Sequence, residues 1–183
     1  MSRYEVYIER AKRTRENARH EPIVILVWGP GNPGQNVLPE KLKAYEKRLK
    51  IKKHLKNKFP RAEVFFSEDK EMKEPVQTGQ SQLQAEAMQA KNADLILMLD
   101  LGRGVDLELD HFIPKYPWFR DKAYVFLPIR YVSTKGLVAE VLDKLESHHI
   151  IGFSELEFES CKLVTKKAFE VAYTVAMDHY IQR

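Results

Sequence analysis

The chain has few of the features that would place it in a membrane, in a secretory pathway or among disulfide-rich proteins. No apolar run approaches the roughly 18 to 20 residues that a membrane-spanning helix needs. The first 15 residues, MSRYEVYIERAKRTR, lack the apolar centre of a signal peptide. The single cysteine, Cys161, excludes an internal disulfide and lies in an apolar helical pattern that predicts a core position. The sequence therefore predicts a cytoplasmic protein without a membrane segment.

Patterns typical of metal sites are also missing. The six histidines are scattered, and none is spaced with Cys161 or with another histidine as metal ligands are. Glu108-x-x-His111 occurs once, whereas a di-iron site of this type would need a second copy. No metal site is therefore expected.

The composition is that of an ordinary globular protein. Of 183 residues, 44% are hydrophobic and 31% are charged, which predicts a single folded domain covering residues 1–183. Ser2-x-x-Glu5 has the spacing of a capping box and predicts a helix that Pro22 ends. Residues 1–21 are thus expected to form an N-terminal helical extension, and residues 22–183 an α/β core.

Apolar runs and helical patterns alternate along that core. The predicted strands are 23–28, 62–66, 94–99, 124–129 and 150–153. The predicted helices between and after them are about 39–59, 80–91, the helix that carries Glu108, one from Ser133 or Thr134 to Glu146, and 156–180. This alternation predicts a flavodoxin-like doubly wound parallel sheet of about five strands in the order 2-1-3-4-5. Ligands of such sheets bind where strands one and three end, so 29–36 and 100–105 are the expected binding loops.

Two glutamates fall on the apolar faces of their predicted helices. Glu108 shares a face, at spacings i, i+3, i+4 and i+7, with Val105, Leu109 and Phe112. Glu86 shares a face in the same way with Leu83, Ala87 and Ala90. Burying an ionised carboxylate costs several kcal/mol unless it is paired. Either each glutamate is neutralised by a nearby Lys or Arg, or the two divide glycosyl transfer as nucleophile and proton donor.

The loop after the first strand, Gly29-Pro-Gly-Asn-Pro-Gly34, formally matches a dinucleotide-binding fingerprint. Pro30 and Pro33 remove two of the backbone N–H donors, however, and no helix begins within the motif. A rigid turn is the better interpretation. Such a turn can line a sugar or base site, with Gln35 and Asn36 as hydrogen-bonding groups.

The helix at 39–59 is strongly basic, with nine lysines and arginines. Leu42, Tyr45 and Leu49 predict its inward stripe, which places most of the charge on the outer face. A net charge of +4 is compatible with a phosphate-bearing ligand. Because no aromatic interleaving or reading motif accompanies the lysines, a solvated face is favoured over a nucleic-acid site.

The central segment resembles the nucleoside 2-deoxyribosyltransferase-like superfamily, and within it the deoxynucleoside monophosphate N-glycosidases. The resemblance covers roughly residues 23–130. It rests on the Gly29-Pro30 turn after the first strand, on Ala93-Asp94 before an apolar strand, and on Gly104-Val-Asp-Leu-Glu108-Leu opening a helix. Members of the superfamily carry the nucleophilic glutamate at the position of Glu108. They carry the proton donor seven residues before the Ala-Asp pair, at the position of Glu86.

The resemblance implies an enzyme that cleaves the N-glycosidic bond of a nucleoside or nucleotide without a metal or organic cofactor. It implies that Asp100 holds the pentose hydroxyls, and that Gly102, Arg103 and Gly104 hold a 5′-phosphate. A homodimer is also implied, and nucleic acid is not the expected ligand. Two alternatives stay open: a non-catalytic module that senses nucleotides in the same cleft, and a nucleic-acid-associated protein using the basic helices.

Overall fold

A computed structural model shows an α/β protein built on a five-stranded parallel sheet. The structure describes residues 2–34, 39–73, 81–99, 103–132 and 137–183, and it describes only the backbone of residues 40, 73, 103–108, 131–132, 137–139, 155 and 158–159. The strands are β1 (Val24–Trp28), β2 (Glu63–Phe65), β3 (Leu95–Leu99), β4 (Ala123–Pro128) and β5 (Ile150–Phe153).

The strand order is β2-β1-β3-β4-β5, and every neighbouring pair is parallel. Ile25 of β1 lies opposite Val64 of β2 on one side and Leu95 of β3 on the other. The predicted doubly wound, flavodoxin-like sheet is therefore confirmed. The chain leaves β1 toward β2 and later returns to β3 on the opposite side of β1, so the switch point lies where β1 and β3 end.

The helices connect the strands and cover both faces of the sheet. They are α1 (Arg3–Arg19), α2 (Pro39–Lys58), α3 (Lys70–Lys73), α4 (Gln82–Asn92), α5 (Arg103–Lys115), α6 (Pro117–Arg120), α7 (Ile129–Val132), α8 (Leu137–Leu142), α9 (Glu155–Ser160) and α10 (Lys162–Ile181). A 3₁₀ turn, Ser147–His149, leads into β5. None of the helices within the described ranges is long and apolar enough to span a bilayer.

Each face of the sheet has its own apolar core. Helices α2 and α10 cover one face, called here the α2/α10 face, and α1 packs on the outside of α10. Helices α4, α5, α6 and α8 cover the other, called here the α4/α5 face. The central strands are buried on both sides, which explains why β1 and β3 are continuous apolar runs in the sequence.

The sequence predicts one helix over 156–180, but the structure divides this segment at Cys161. Cys161 adopts a left-handed conformation with φ of 55°, and its backbone N–H donates to the carbonyl of Glu157 at the end of α9. The chain changes direction there, and α10 begins at the next residue. The prediction of a core position for Cys161 is confirmed, since only 4% of its surface is exposed.

The predicted inward stripe of α2 is wrong. Leu42 and Leu49 are 45% and 41% exposed, whereas Arg48 is completely buried. Ile51 and Leu55 explain the difference, because these fully buried residues fix the phase of the helix and Arg48 precedes them on the same face. Leu83, predicted to face inward on α4, is likewise exposed, while the predicted burial of Glu86 and Ala90 is confirmed.

Three other boundaries differ from the sequence prediction. The polar segment after β2 contains a helical turn, α3, rather than only loop. Helix α5 continues through Pro114, and Pro117 begins α6, a short helix that is not among the predicted ones. Between β4 and β5 the structure has α7 and α8 instead of one helix to Glu146, and residues 133–136 lie outside the described ranges.

Candidate functional site

The candidate site lies at the carboxyl edge of the sheet, at the switch point beside the end of β1. Gly29, directly after β1, has a φ of +154°. A Cβ atom there would lie 3.1 Å from the Cβ of Leu99, the last residue of β3. Only glycine fits this position without strain, because the backbone conformation and the close approach of β3 both disfavour a side chain. The turn is thereby held against the end of the neighbouring strand.

Arg48 anchors the same turn from the α2/α10 face. Its guanidinium donates to the carbonyl oxygen of Val27 from Nε (3.1 Å) and from Nη2 (2.7 Å), and to that of Pro30 from Nη1 (3.3 Å). It also donates to both carboxylate oxygens of Glu68, at 2.6 and 2.9 Å. This bidentate pair compensates for the burial of the arginine charge and connects the segments that follow β1 and β2.

A second ion pair extends this network. The Lys52 ammonium contacts the carboxylate of Asp69, which also accepts a hydrogen bond from the backbone N–H of Phe66 at 2.8 Å. Both cations lie against the ring of Phe66, with Arg48 Cζ at 4.0 Å and Lys52 Nζ at 4.2 Å from its centroid. Because each cation is held by a carboxylate and an aromatic ring, the loop after β2 is fixed in position.

Glu86 lies on α4, on the α4/α5 face, and is 7% exposed. Gln82 Nε2 donates to its Oε1 at 2.8 Å. No lysine, arginine or histidine among the described residues forms an ion pair with Glu86, in contrast to Glu68. The alternative in which a helix-end cation neutralises this carboxylate therefore finds no support in the described residues.

The position of Glu86 along the sheet is indicated by Gln89, which lies about one turn later on α4. The amide nitrogen of Gln89 donates to the carbonyl oxygens of Ser67 and Met72, at 3.2 and 2.9 Å, in the segment that follows β2. Helix α4 runs away from the carboxyl edge toward the start of β3, so Glu86 lies about 4.5 Å further out along the helix axis than Gln89. Glu86 therefore lies in the half of α4 that is nearer the carboxyl edge of the sheet.

The backbone of Glu108 lies in the second turn of α5, which follows β3 and packs on the same face. Phe112, one turn later, is fully buried, and its ring centroid is 5.2 Å from that of Trp28, the last residue of β1. The backbone of Glu108 is thus within one helical turn of a residue that touches the end of β1. The side chain of Glu108 is outside the described residues.

Trp28 was not singled out from the sequence. It is 1% exposed, and its indole Nε1 finds no hydrogen-bond partner within the described part of the chain. A buried polar group without a partner is unusual in folded proteins. The only sequence signal was its position as the last apolar residue before the glycine turn.

The other predicted site residues are placed only in part. Pro30 lies at the end of β1, where its carbonyl accepts from Arg48, and the backbones of Arg103 and Gly104 form the start of α5. Four predicted residues lie outside the described ranges, and the structure does not describe their positions: Gln35, Asn36, Asp100 and Gly102.

Sequence reasoning missed Arg48 and Glu68. Arg48 was one of many cations in a basic helix, and Glu68 was one of several acidic residues in a polar loop. The available signal was helical phase, because Arg48 lies three and seven residues before Ile51 and Leu55. The pair itself cannot be recognised from the sequence, because Arg48 and Glu68 are 20 residues apart and come into contact only when the sheet forms.

Other features of the molecule lie away from this edge. A cavity of about 500 Å³ lies between β4, β5 and α10, lined by residues such as Tyr124, His148 and Lys167, and includes none of the predicted site residues. Among the described residues, no group of three His, Cys, Asp or Glu side chains is arranged to hold a metal ion. The candidate site is therefore defined by Glu86, α5 and the glycine turn.

Comparison with known proteins adds no further assignment. No protein-family model matches the chain, and no curated protein is significantly similar to it in sequence.

Proposed function

We propose that the protein is an N-glycosidase, or a deoxyribosyltransferase-like enzyme, that cleaves the bond between base and sugar in a nucleoside or nucleotide. The observation that carries this proposal is Glu86, a buried carboxylate in the half of α4 nearer the carboxyl edge, which has no ion-pair partner among the described residues. Burying such a group costs free energy that folding alone does not recover, which favours a role toward a ligand.

The positions of α4 and α5 support a division of labour between two glutamates. Both helices cover the α4/α5 face, and both begin at the carboxyl edge of the sheet. Glu86 is the fifth residue of α4 and Glu108 the sixth of α5, so each lies about 6 to 8 Å along its helix from that edge. Two glutamates at similar positions along helices that cover the same face of the sheet are suited to act on opposite sides of one glycosidic bond.

In the proposed reaction, the carboxylate of Glu108 attacks the anomeric carbon of the sugar and forms a glycosyl ester. The electrons of the broken C–N bond pass to the base, whose nitrogen takes the proton from the Glu86 carboxyl group. Glu86 then takes a proton from water, which attacks the anomeric carbon, releases Glu108 and yields the free sugar. If a second base enters instead of water, the same steps transfer the sugar.

The remaining predicted residues have binding roles in this proposal. The Gly29-Pro30 turn forms one wall, and Gln35 and Asn36 hydrogen-bond the base or sugar. Asp100 holds the pentose hydroxyls. The loop Gly102–Gly104 and the start of α5 accept a 5′-phosphate, with Arg103 as counter-charge, because the N-terminus of a helix of 13 residues favours an anion.

The proposal is tested by incubating the protein with a panel of ribonucleosides, deoxyribonucleosides, their 5′-monophosphates and NAD, and measuring free base by chromatography. We expect base release from at least one class, and its loss in Glu108→Gln and Glu86→Gln. Glu71→Gln, an exposed glutamate on α3, is the matched control and should retain the full rate. Binding without base release would favour a nucleotide sensor and overturn the enzymatic proposal, as would release that is unchanged in Glu108→Gln.

A further inference from the structure

Charge is divided unequally along the chain. Residues 1–61 contain 16 lysines and arginines against 6 acidic residues, a net charge of +10, whereas residues 62–183 contain 14 against 20, a net charge of −6. The structure turns this difference into a surface, since the basic segment forms α1 and α2, which both pack on α10. A surface with an excess of one charge sign attracts a partner of the opposite sign.

The carboxyl-terminal half of α2 supplies the densest part of this surface. Apart from Leu49 at its beginning, its exposed side chains are polar and almost all cationic: Lys50, Lys53, Lys56, Asn57 and Lys58. No ion pair joins any of these lysines to a described residue, whereas the less exposed Lys52 pairs with Asp69. The lysines are therefore available to an external anion.

Helix α1 adds a second set of cations to the same side of the molecule. The last turn of α1 and the carboxyl-terminal half of α2 meet at Phe169 of α10. The Cζ atom of Arg19, on α1, lies 5.8 Å from the centroid of the Phe169 ring, and the ring centroid of His54, on α2, lies 6.2 Å from it. The two helices thus form one surface, called here the basic face. The exposed residues Arg10, Lys12, Arg13 and Arg15 lie earlier on α1 and add to its positive charge.

We propose that the basic face binds the phosphodiester backbone of nucleic acid without reading its sequence. The exposed lysines from Lys50 to Lys58 span about 12 Å along α2, so they can contact about three consecutive phosphates of one strand. Among the described residues of α2, only Leu42 and Leu49 are large apolar residues with exposed side chains. Two leucines are too few for the wide apolar face with which a helix inserts into a bilayer, which favours nucleic acid over a membrane surface.

Exposed aromatic rings on α1 extend this argument to single strands. Tyr4 and Tyr7 are 72% and 68% exposed and lie on the same helix as the cations. Aromatic side chains beside cations provide stacking surfaces for unpaired bases. The basic face lies on the side of the sheet opposite Glu86 and α5, so nucleic-acid binding and base release are separate properties that are tested separately.

The test measures fluorescence anisotropy with a labelled mixed-sequence DNA of about 30 nucleotides, as single strand and as duplex, from about 50 to 300 mM salt. The triple variant Lys50→Gln/Lys53→Gln/Lys56→Gln is compared with Lys91→Gln/Lys115→Gln/Lys144→Gln. The control removes three exposed lysines that lie outside the basic face. Circular dichroism establishes that both variants keep their helices.

We expect the unmodified protein to bind the single strand with an affinity that falls steeply with salt. The triple variant loses three phosphate contacts, so the plot of log binding constant against log salt concentration should become less steep by about 2. Its affinity should also fall at least about tenfold near 100 mM salt. The control variant should bind within about twofold of the unmodified protein. The proposal is overturned by absence of binding at about 50 mM salt, by equal losses in both variants, or by binding to phosphatidylserine vesicles without binding to DNA.

Discussion

Replacing the buried Arg48 with methionine should destabilise the protein more than replacing any exposed residue of α2. Methionine fills much of the volume of the arginine stem but removes every guanidinium donor. The carbonyls of Val27 and Pro30 and the carboxylate of Glu68 then lose the hydrogen bonds they accept from Arg48. The turn after β1 also loses the contact that joins it to the segment after β2.

The magnitude follows from the burial of the two partners. Removing one member of a fully buried ion pair costs about 3 to 5 kcal/mol. The side chain of Arg48 is 1% exposed but that of Glu68 is 37% exposed, so water compensates part of the loss. Discounting for that exposure, we expect Arg48→Met to lower the free energy of unfolding by about 2 to 4 kcal/mol. For a chain of this length, such a loss lowers Tm by about 10 °C.

Urea denaturation followed by circular dichroism measures this change, with Lys50→Met as the control. Lys50 is exposed on the same helix, so its replacement should change stability by less than about 0.5 kcal/mol. Arg48→Lys should lose at least about half as much stability as Arg48→Met, because an ammonium cannot reproduce the bidentate contact. A loss below about 1 kcal/mol for Arg48→Met would show that the network does not hold the turn.

Three further predictions concern the same region and the α9–α10 junction. Gly29→Ala should cost about 1 to 3 kcal/mol in urea denaturation, since its Cβ would lie 3.1 Å from that of Leu99; unchanged stability would contradict the crowding argument. Asp69→Ala should cost about 1 to 2 kcal/mol, because the Phe66 N–H and Lys52 both lose their acceptor, whereas exposed Asp121→Ala should change little. Burial raises the pKa of the Cys161 thiol above the ordinary value of 9.0. The unfolded chain therefore loses that proton first, so stability should fall as pH rises above about 9, and Cys161→Ser should remove this component.

The arrangement of the sheet was predictable because each strand is a separate apolar run and the helices between them dictate right-handed crossovers. The burial of Glu86 was predictable for a similar local reason, since Ala87 and Ala90 fix the inward face of α4. The same phase failed for Leu83, which lies in the first turn of the helix and is exposed. Periodicity thus predicts which face points inward but not where along a helix contact with the sheet ends.

The buried arginine and the broken last helix were beyond local reasoning. Arg48 is stable inside the protein only because Glu68 and two strand-end carbonyls meet it, and those partners are brought together by the sheet. Cys161 has a left-handed backbone, for which glycine or asparagine is the usual sequence signal. Neither feature leaves a pattern in the residues adjacent to it.

The most direct test of the proposed chemistry compares two deoxynucleoside monophosphates as substrates. One carries an ordinary base, and the other carries 7-methylguanine. The cationic 7-methylguanine leaves without protonation, so it does not need a general acid. The rate of base release with the ordinary base should fall by about 10² to 10⁴ in Glu86→Gln. With the methylated base the same variant should stay close to the unmodified protein, whereas Glu108→Gln should be inactive on both. Equal losses of Glu86→Gln on both substrates, or an active Glu108→Gln, would contradict the assignment of the two glutamates.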